Sequence, residues 1–303
     1  MMKSFGLDNL KNCTLCPRNC GVDRTKTVGF CGATEQIKVA RAALHFWEEP
    51  CISGTKGSGT VFFSGCNLAC RYCQNYDISI GGFGKEISPK QLGDIFLKLQ
   101  LDGAHHINLV TPTPYLPQIM QAIDLVRDKI HIPFVANVGG YEKPETIQML
   151  KGTIDIFLTD VKYQSSEIAK KYSSAPDYFD FAMDSLSQMI SLCGAPKFNA
   201  EGILQSGVIV RHLVLPGCRK DSFEVLKSLA ERFGTEQFIL SLMSQFTPNG
   251  HLEDYPELNR RITSLEYHSV VDMALELGFE SAYMQQKSSA KEEYTPPFDL
   301  TGI

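Results

Sequence analysis

Cys66-Asn67-Leu68-Ala69-Cys70-Arg71-Tyr72-Cys73 is a C-x3-C-x2-C run, and it follows directly on the apolar stretch Thr60-Val61-Phe62-Phe63-Ser64-Gly65. The order reads as a loop leaving the end of a buried strand. Three closely spaced thiolates on one loop suit three corners of a cubane [4Fe–4S] cluster, where a ferredoxin set would close the fourth iron with a fourth cysteine. The next cysteine here is Cys193. One iron therefore keeps an open position at which a ligand can bind and react. Spacing alone leaves two alternatives: a three-cysteine zinc site completed by a distant histidine, or buried reduced thiols.

A second cysteine group precedes the first. Cys13, Cys16, Cys20 and Cys31 form C-x2-C-x3-C-x10-C, a compact four-thiolate set for one metal centre. An auxiliary [4Fe–4S] cluster and a structural zinc are both open readings. The remaining cysteines are Cys51, Cys193 and Cys218, of which Cys51 reads as buried and Cys218 as a loop cysteine.

The 303 residues carry a net charge of −5 and no run of lysine and arginine, which argues against a nucleic-acid footprint. At 43% hydrophobic the chain can bury one large domain, or one domain with an appendage. Residues 1–10 lack the apolar core of a signal peptide, and no stretch approaches transmembrane length. Ten cysteines without a secretory signal predict thiol chemistry in a reducing cytoplasm.

From Thr60 onward, strand-like and helix-like stretches alternate. Predicted strands cover Val61–Ser64, Ile107–Thr111, Phe134–Val138, Ile154–Lys162, Val208–Leu215, Phe238–Gln245 and Glu280–Met284. Predicted helices begin at Ser88, with proline next and Gln91 at N3, then cover Tyr115–Lys129, Pro144–Lys151, Pro176–Leu192, Asp221–Phe233 (Asp221 as N-cap) and Thr263–Leu277. Apolar strands alternating with helices predict an α/β fold with a parallel sheet covered by helices. Six such units are too few for an eightfold barrel and suit a partial (β/α)6 barrel, with chemistry at the strands' C-terminal ends. Three regions result: a cysteine-rich metal-binding segment with its connector (1–59), the partial barrel (60–285) and a polar tail (286–303) containing Tyr294 and Phe298. The tail reads either as a lid or as an outer wrap. Within the connector, His45 and Trp47 read as packing residues.

The C-x3-C-x2-C run with Tyr72 in its aromatic slot resembles the radical S-adenosylmethionine (SAM) enzymes. In these the open iron chelates the amino and carboxylate groups of SAM. One electron from the cluster then splits SAM into methionine and a 5′-deoxyadenosyl radical, which abstracts hydrogen. Over about residues 10–300 the chain is most similar to proteins related to the pyruvate formate-lyase activating enzymes, in the subgroup with an N-terminal cysteine set. Cys73-Gln74-Asn75 matches their cysteine, one residue, asparagine. Where most relatives have Gly-Gly-Glu to hold the methionine amino group, this chain has Thr111-Pro112-Thr113-Pro114, with hydroxyls and no acid. Where the activating enzymes have Asp-Thr-Asn-Gly, it has Asn137 before Gly139 and Gly140, so a cation site there would have only a neutral oxygen.

Asp160-Val161-Lys162 matches their Asp-Leu-Lys, which implies a cation-site carboxylate and a lysine at the SAM carboxylate. The strand carrying Arg211 and ending Pro216-Gly217 matches their arginine-bearing strand and implies a second contact to that carboxylate. By alternation His212 faces the other side and reads as structural. Met243 and Gln245 are expected at the same mouth, and Tyr72 beside the adenine. The resemblance implies a reducing donor such as flavodoxin or ferredoxin, and activation of a glycyl-radical enzyme; a radical enzyme modifying a small molecule or peptide is the alternative. An iron–sulfur carrier or redox sensor without turnover is the reading from a different class.

Overall fold

The computed structural model describes residues 7–285 and 295–303. Among the described residues, the strands in chain order are β1 (Ile37–His45), β2 (Ser58–Phe63), β3 (Lys85–Ile87), β4 (Ile107–Val110), β5 (Phe134–Val138), β6 (Ile156–Asp160), β7 (Lys197–Phe198), β8 (Leu204–Leu213), β9 (Ile239–Met243) and β10 (Ala282–Met284). The helices are α1 (Pro50–Ser53), α2 (Tyr76–Ser79), α3 (Pro89–Leu101), α4 (Leu116–Val126), α5 (Pro144–Gln148), α6 (Ser166–Ser173), α7 (Tyr178–Cys193), α8 (Arg219–Phe233) and α9 (Ser264–Glu276).

The sheet order is β10-β9-β8-β6-β5-β4-β2-β1-β3, with β7 paired to β8. From β2 to β10 every neighbour is parallel, whereas β1 runs antiparallel to both β2 and β3. The α/β class and the largely parallel sheet thus match the expectation, and hydrogen bonding does not close the sheet into a barrel. The sheet nevertheless curls: Phe62 on β2 and Tyr283 on β10, near its two ends, line one cavity.

Alternation along each strand separates two faces. Outward residues such as Val61, Leu109, Ala136, Phe157, Val210 and Leu240 join the large core under the helices. Inward residues Val135, Ile156, Leu158, Ile209 and Ile239 instead pack on Cys51 and Ile52 of α1. This short helix therefore plugs the lower inner face, and Cys51 is buried there as packing.

One expectation is corrected and one element is added. Asp221 is not an N-cap, because α8 starts at Arg219 with Cys218 in the N-cap position. Its carboxylate instead accepts the backbone N–H of Ser165 at 2.7 Å and of Gln164 at 3.2 Å, holding the chain before α6. Helix α6 itself was not expected; its sequence Ser166-Glu-Ile-Ala-Lys-Lys-Tyr-Ser173 is mostly polar and buries only Ala169, Tyr172 and Ser173. Of the tail, residues 286–294, with Tyr294, lie outside the described residues. Residues 295–303 add to β1: Leu300 N–H reaches Ala40 O at 3.1 Å, Ala42 N–H reaches Thr301 O at 2.9 Å, and Phe298 packs edge-on against Phe62.

Candidate active site

The inner face encloses a cavity of about 480 Å³. Its polar layer stands directly above the apolar plug, one inward position further along each strand. Leu158 gives way to Asp160 on β6, Ile209 to Arg211 on β8, and Ile239 to Ser241 on β9. The ladder pairs Asp160 with Arg211 and Arg211 with Ser241, so these side chains share a level. The loop after β2 brings Cys66, Cys70 and Cys73 to the same cavity, beyond the C-terminal end of that strand.

Cys70 is buried, and Cys66 and Cys73 are half-buried. Burial pushes the Cys66 thiol up to about 12, with the sulfurs of Cys70 and Cys73 adding to it, and raises Cys73, with Cys70 adding there, so the three converge. Donors already aim at them: Ser173 Oγ donates to Cys70 Sγ at 3.0 Å, and Leu68 N–H approaches Cys66 Sγ at 3.4 Å. A soft-donor trio with its own N–H and O–H donors fits an iron–sulfur cluster. Tyr72, which also lines the cavity, is only 5% exposed; its ring packs edge-on against Tyr163 and Tyr172, and its hydroxyl meets that of Tyr163 at 2.6 Å.

Two ionic groups face the cavity. Lys162 is paired with Asp160. Burial alone would lower the lysine, but Asp160, with Cys70 and Cys73 adding to it, more than offsets this and keeps the ammonium charged. Arg211 is held by two carboxylates absent from the sequence reading. Glu49 takes it bidentately, Nε at 2.7 Å and Nη2 at 2.5 Å, and Glu48 bonds the same Nη2. Burial would raise the Glu49 carboxyl, but Arg211 holds it below the usual range. Asn108 donates to Glu48 at 2.9 Å and Asn137 at 3.5 Å. An arginine among apolar strand residues demands a counter-charge, and that demand is the one signal in the sequence that pointed to Glu48-Glu49.

Asn75, Thr111, Asn137, Met243 and Gln245 all line the cavity as well. Thr111 sits at φ 58°, an uncommon left-handed value for a β-branched residue, and its N–H binds Asn137 O at 2.9 Å. Gln245 accepts from Gln285 at 2.8 Å, while its carbonyl takes the Gln74 amide at 2.9 Å. Thr113 is not brought to the cavity. It is buried and donates to Glu142 at 2.9 Å, a carboxyl that burial pushes up to about 8. His212 is structural, between Val161 O and Ser222 Oγ. His45 and Trp47 line the cavity wall.

The N-terminal thiols lie outside the cavity and converge on each other. A Cβ on Gly29 would stand 3.4 Å from Cys20 Sγ and 3.5 Å from Cys31 Sγ. Burial pushes Cys16 up to about 12, with Cys31 and Cys13 adding to it. In neither cysteine group do three donors stand at metal-ligating geometry among the described residues; the fit to metal rests on donor chemistry and convergence. This segment is anchored to the cluster loop. Cys66 N–H binds Cys31 O at 3.2 Å, and Gly65 (φ 87°) could not carry a Cβ, which would lie 2.4 Å from that oxygen.

A loop of three soft donors beyond the first parallel strand, sharing a cavity with charged residues of the later strands, gives an α/β protein whose donor set suits an iron–sulfur cluster. The radical SAM superfamily profile matches residues 60–192. The chain is also 31% identical over 286 residues, 90% of its own length and 77% of its relative's, to the uncharacterized protein MJ0674 of Methanocaldococcus jannaschii. Residues 60–192 thus form a radical SAM superfamily domain, and that family implies a [4Fe–4S] cluster and SAM. Among solved structures, methylornithine synthase (PylB) is similar with a TM-score of 0.48 and 13% identity, covering 78% of this chain and 68% of that one. A spore photoproduct lyase variant is similar with a TM-score of 0.47 and 12% identity, covering 73% of each. No described helix is long and apolar enough to cross a membrane.

Proposed function

We propose that the protein is a radical SAM enzyme that cleaves SAM reductively and uses the product radical to abstract hydrogen from a substrate. The observation that carries this reading is one cavity shared by Cys66, Cys70, Cys73, Lys162 and Arg211. Cys66, Cys70 and Cys73 would hold the cluster, which when bound supplies the electron that splits SAM. Asn75, Thr111, Asn137, Met243 and Gln245 would position SAM, with Lys162 near its carboxylate. The walls exclude water, so that hydrogen transfer outruns quenching. A flavodoxin or ferredoxin in a reducing cytoplasm would supply electrons. Cys13, Cys16, Cys20 and Cys31 would hold a second centre, iron–sulfur or zinc.

For the substrate, the motifs of the activating enzymes favour a glycine on a glycyl-radical enzyme. A second reading, a small molecule or peptide, is favoured by the charged inner wall of Glu48, Glu49 and Arg211, since a glycine has no side chain for charges to recognise. A carrier or sensor without turnover would leave this charged wall without a role. The test is anaerobic: reconstituted protein, dithionite and SAM, assayed for 5′-deoxyadenosine with size-fractionated extract. Cys70→Ala should abolish the product; its persistence at the normal rate would sink the assignment. Stimulation by the protein fraction alone supports the activase, and stimulation by the small-molecule fraction overturns it.

A further inference from the structure

The charged wall of the cavity is unbalanced. Asp160 and Lys162 cancel, but Arg211 faces two carboxylates, and its bidentate pair with Glu49 already neutralises one. Glu48 is the surplus negative charge, and its side chain is nearly buried, at 8% exposure. His45 is its electrostatic neighbour, and burial depresses that imidazole below its ordinary range.

Acceptors are in surplus too. Asn108 is fully buried on the inward face of β4, gives its amide N–H to Glu48, and leaves Oδ1 without a partner among the described residues. A buried carbonyl oxygen left unbonded beside a half-neutralised carboxylate is costly unless a donor-rich group arrives. The same cavity is lined by Phe46 and Trp47, which leave 50% and 49% of their surfaces exposed. Aromatic faces beside a carboxylate complement a cation on a hydrocarbon stem.

Position separates this group from the cluster. The partners of Glu48 come from within strands: Asn108 is the second residue of β4, and Asn137 and Arg211 also precede their strands' ends. The cysteines follow the end of β2. Asn137, assigned above to SAM, borders Glu48, so the acidic layer stands next to SAM and below the cluster loop, where a substrate would meet it.

Resting on the radical SAM reading above, we propose that Glu48 determines specificity by receiving an aliphatic ammonium or guanidinium group of the substrate, with Phe46 and Trp47 flanking its stem. A free amine and a lysine or arginine side chain share this chemistry.

The experiment titrates pentylamine, pentylguanidine, pentanol and pentanoate calorimetrically into the reconstituted full chain, with and without SAM, at low ionic strength. The two cations should bind at least tenfold more tightly than the alcohol, and pentanoate more weakly still. Glu48→Gln should reduce that preference to within twofold, and Glu48→Asp should retain most of it. Equal affinities in the wild type, tighter pentanoate, or a preference that survives Glu48→Gln overturns the proposal. So does competition between pentylamine and SAM, which would assign Glu48 to the ammonium of SAM. If Glu48→Gln fails to fold, the wild-type preference and the SAM competition decide. A capped Gly-Lys-Gly peptide binding more tightly than pentylamine supports a polypeptide source of the cation, and the reverse order supports a free amine. Absence of 5′-deoxyadenosine in the dithionite assay would remove the radical SAM reading itself, while the titrations would still report on the cation site.

Discussion

Arg211 lies in a strand whose neighbours are Val208, Ile209 and Val210, and its guanidinium is 14% exposed. Removing it leaves two carboxylates in a low-dielectric wall without their counter-charge. Arg211→Met should cost about 3–5 kcal/mol of stability, read as a shift of the urea midpoint at pH 7. A loss below about 1 kcal/mol would mean that the pair behaves as if hydrated. Glu142 makes the opposite case. It is fully buried, has no cationic partner among its interactions, and leaves Oε2 unbonded, so burial raises it from 4.5 to about 8. The native state then holds the proton longer than the unfolded chain, and stability is lost as pH rises from about 4.5 through about 8. Glu142→Gln should remove that slope. Unfolding midpoints at pH 5, 6.5 and 8 should move in favour of the variant as pH rises; a wild-type advantage that grows with pH would contradict the burial argument. Neither carboxylate pattern was legible in advance. Glu48 and Glu49 lie more than 160 positions from Arg211, and only the folded register brings them together. Cys66, Cys70 and Cys73 were legible because their ligand spacing is local.

Elements whose signals are local were likewise read correctly: Ser88 and Gln91 form the expected reciprocal capping box on α3. The helix expected from Thr263 is present too, and Thr263 and Glu266 give it a capping box of its own, a Thr-x-x-Glu pattern absent from the expected caps. Beyond the cap, Glu266 accepts Gly217 N–H at 2.7 Å and pairs with Arg260, fixing the turn after β8 to α9. Thr263→Ala should therefore cost about 1 kcal/mol, measured by denaturant unfolding. Arg260 and the cap bonds hold the Glu266 carboxyl well below its ordinary 4.5. Its contribution is present above about pH 4.5 and fades as pH falls further. Glu266→Gln should accordingly lower the melting temperature most at pH 7 and progressively less as pH falls from about 4.5 to about 2; an equal loss throughout would remove the carboxylate from the account. Where the local signal misled, tertiary contacts had taken it over. Asp221 has the residue type of an N-cap, with Glu224 three positions on, yet it spends its oxygens on the chain entering α6. Helix α6 is short and polar, and its formation depends on packing against α7 and the tyrosine cluster rather than on any amphipathic stripe of its own.

At the scale of the whole molecule, the two cysteine groups are separate in sequence and mechanically joined in the fold. Arg18, inside the N-terminal set, reaches across to the cluster loop, where Nε donates to Asn67 O at 2.8 Å and Nη2 to Leu68 O at 3.3 Å. The same guanidinium donates to Ser173 O at 2.9 Å and Ser174 O at 2.5 Å, at the end of the helix whose Ser173 hydroxyl bonds Cys70 Sγ. It stacks on Phe30 at 3.9 Å from the ring centre, which holds the fork in plane. Four carbonyls from two elements thus converge on one side chain, and three of them flank Cys66 and Cys70 directly or through Ser173. A lysine has the charge but not the planar fork, so it can satisfy only part of this set. Arg18→Lys should leave the parallel sheet's exchange protection intact. It should raise amide hydrogen exchange in residues 66–73 and 170–175 at least tenfold, a loss of about 1.4 kcal/mol in local opening energy, with Arg18→Ala larger again. The measurement is hydrogen exchange followed by mass spectrometry on the full chain. Uniformly faster exchange across β4, β5 and β6 would show that Arg18 supports global stability instead, and unchanged protection of 66–73 would show that the loop's other anchors, among them Cys66 N–H to Cys31 O, Arg71 N–H to Tyr172 O and the Asn67 amide to Tyr141 O, hold it without Arg18.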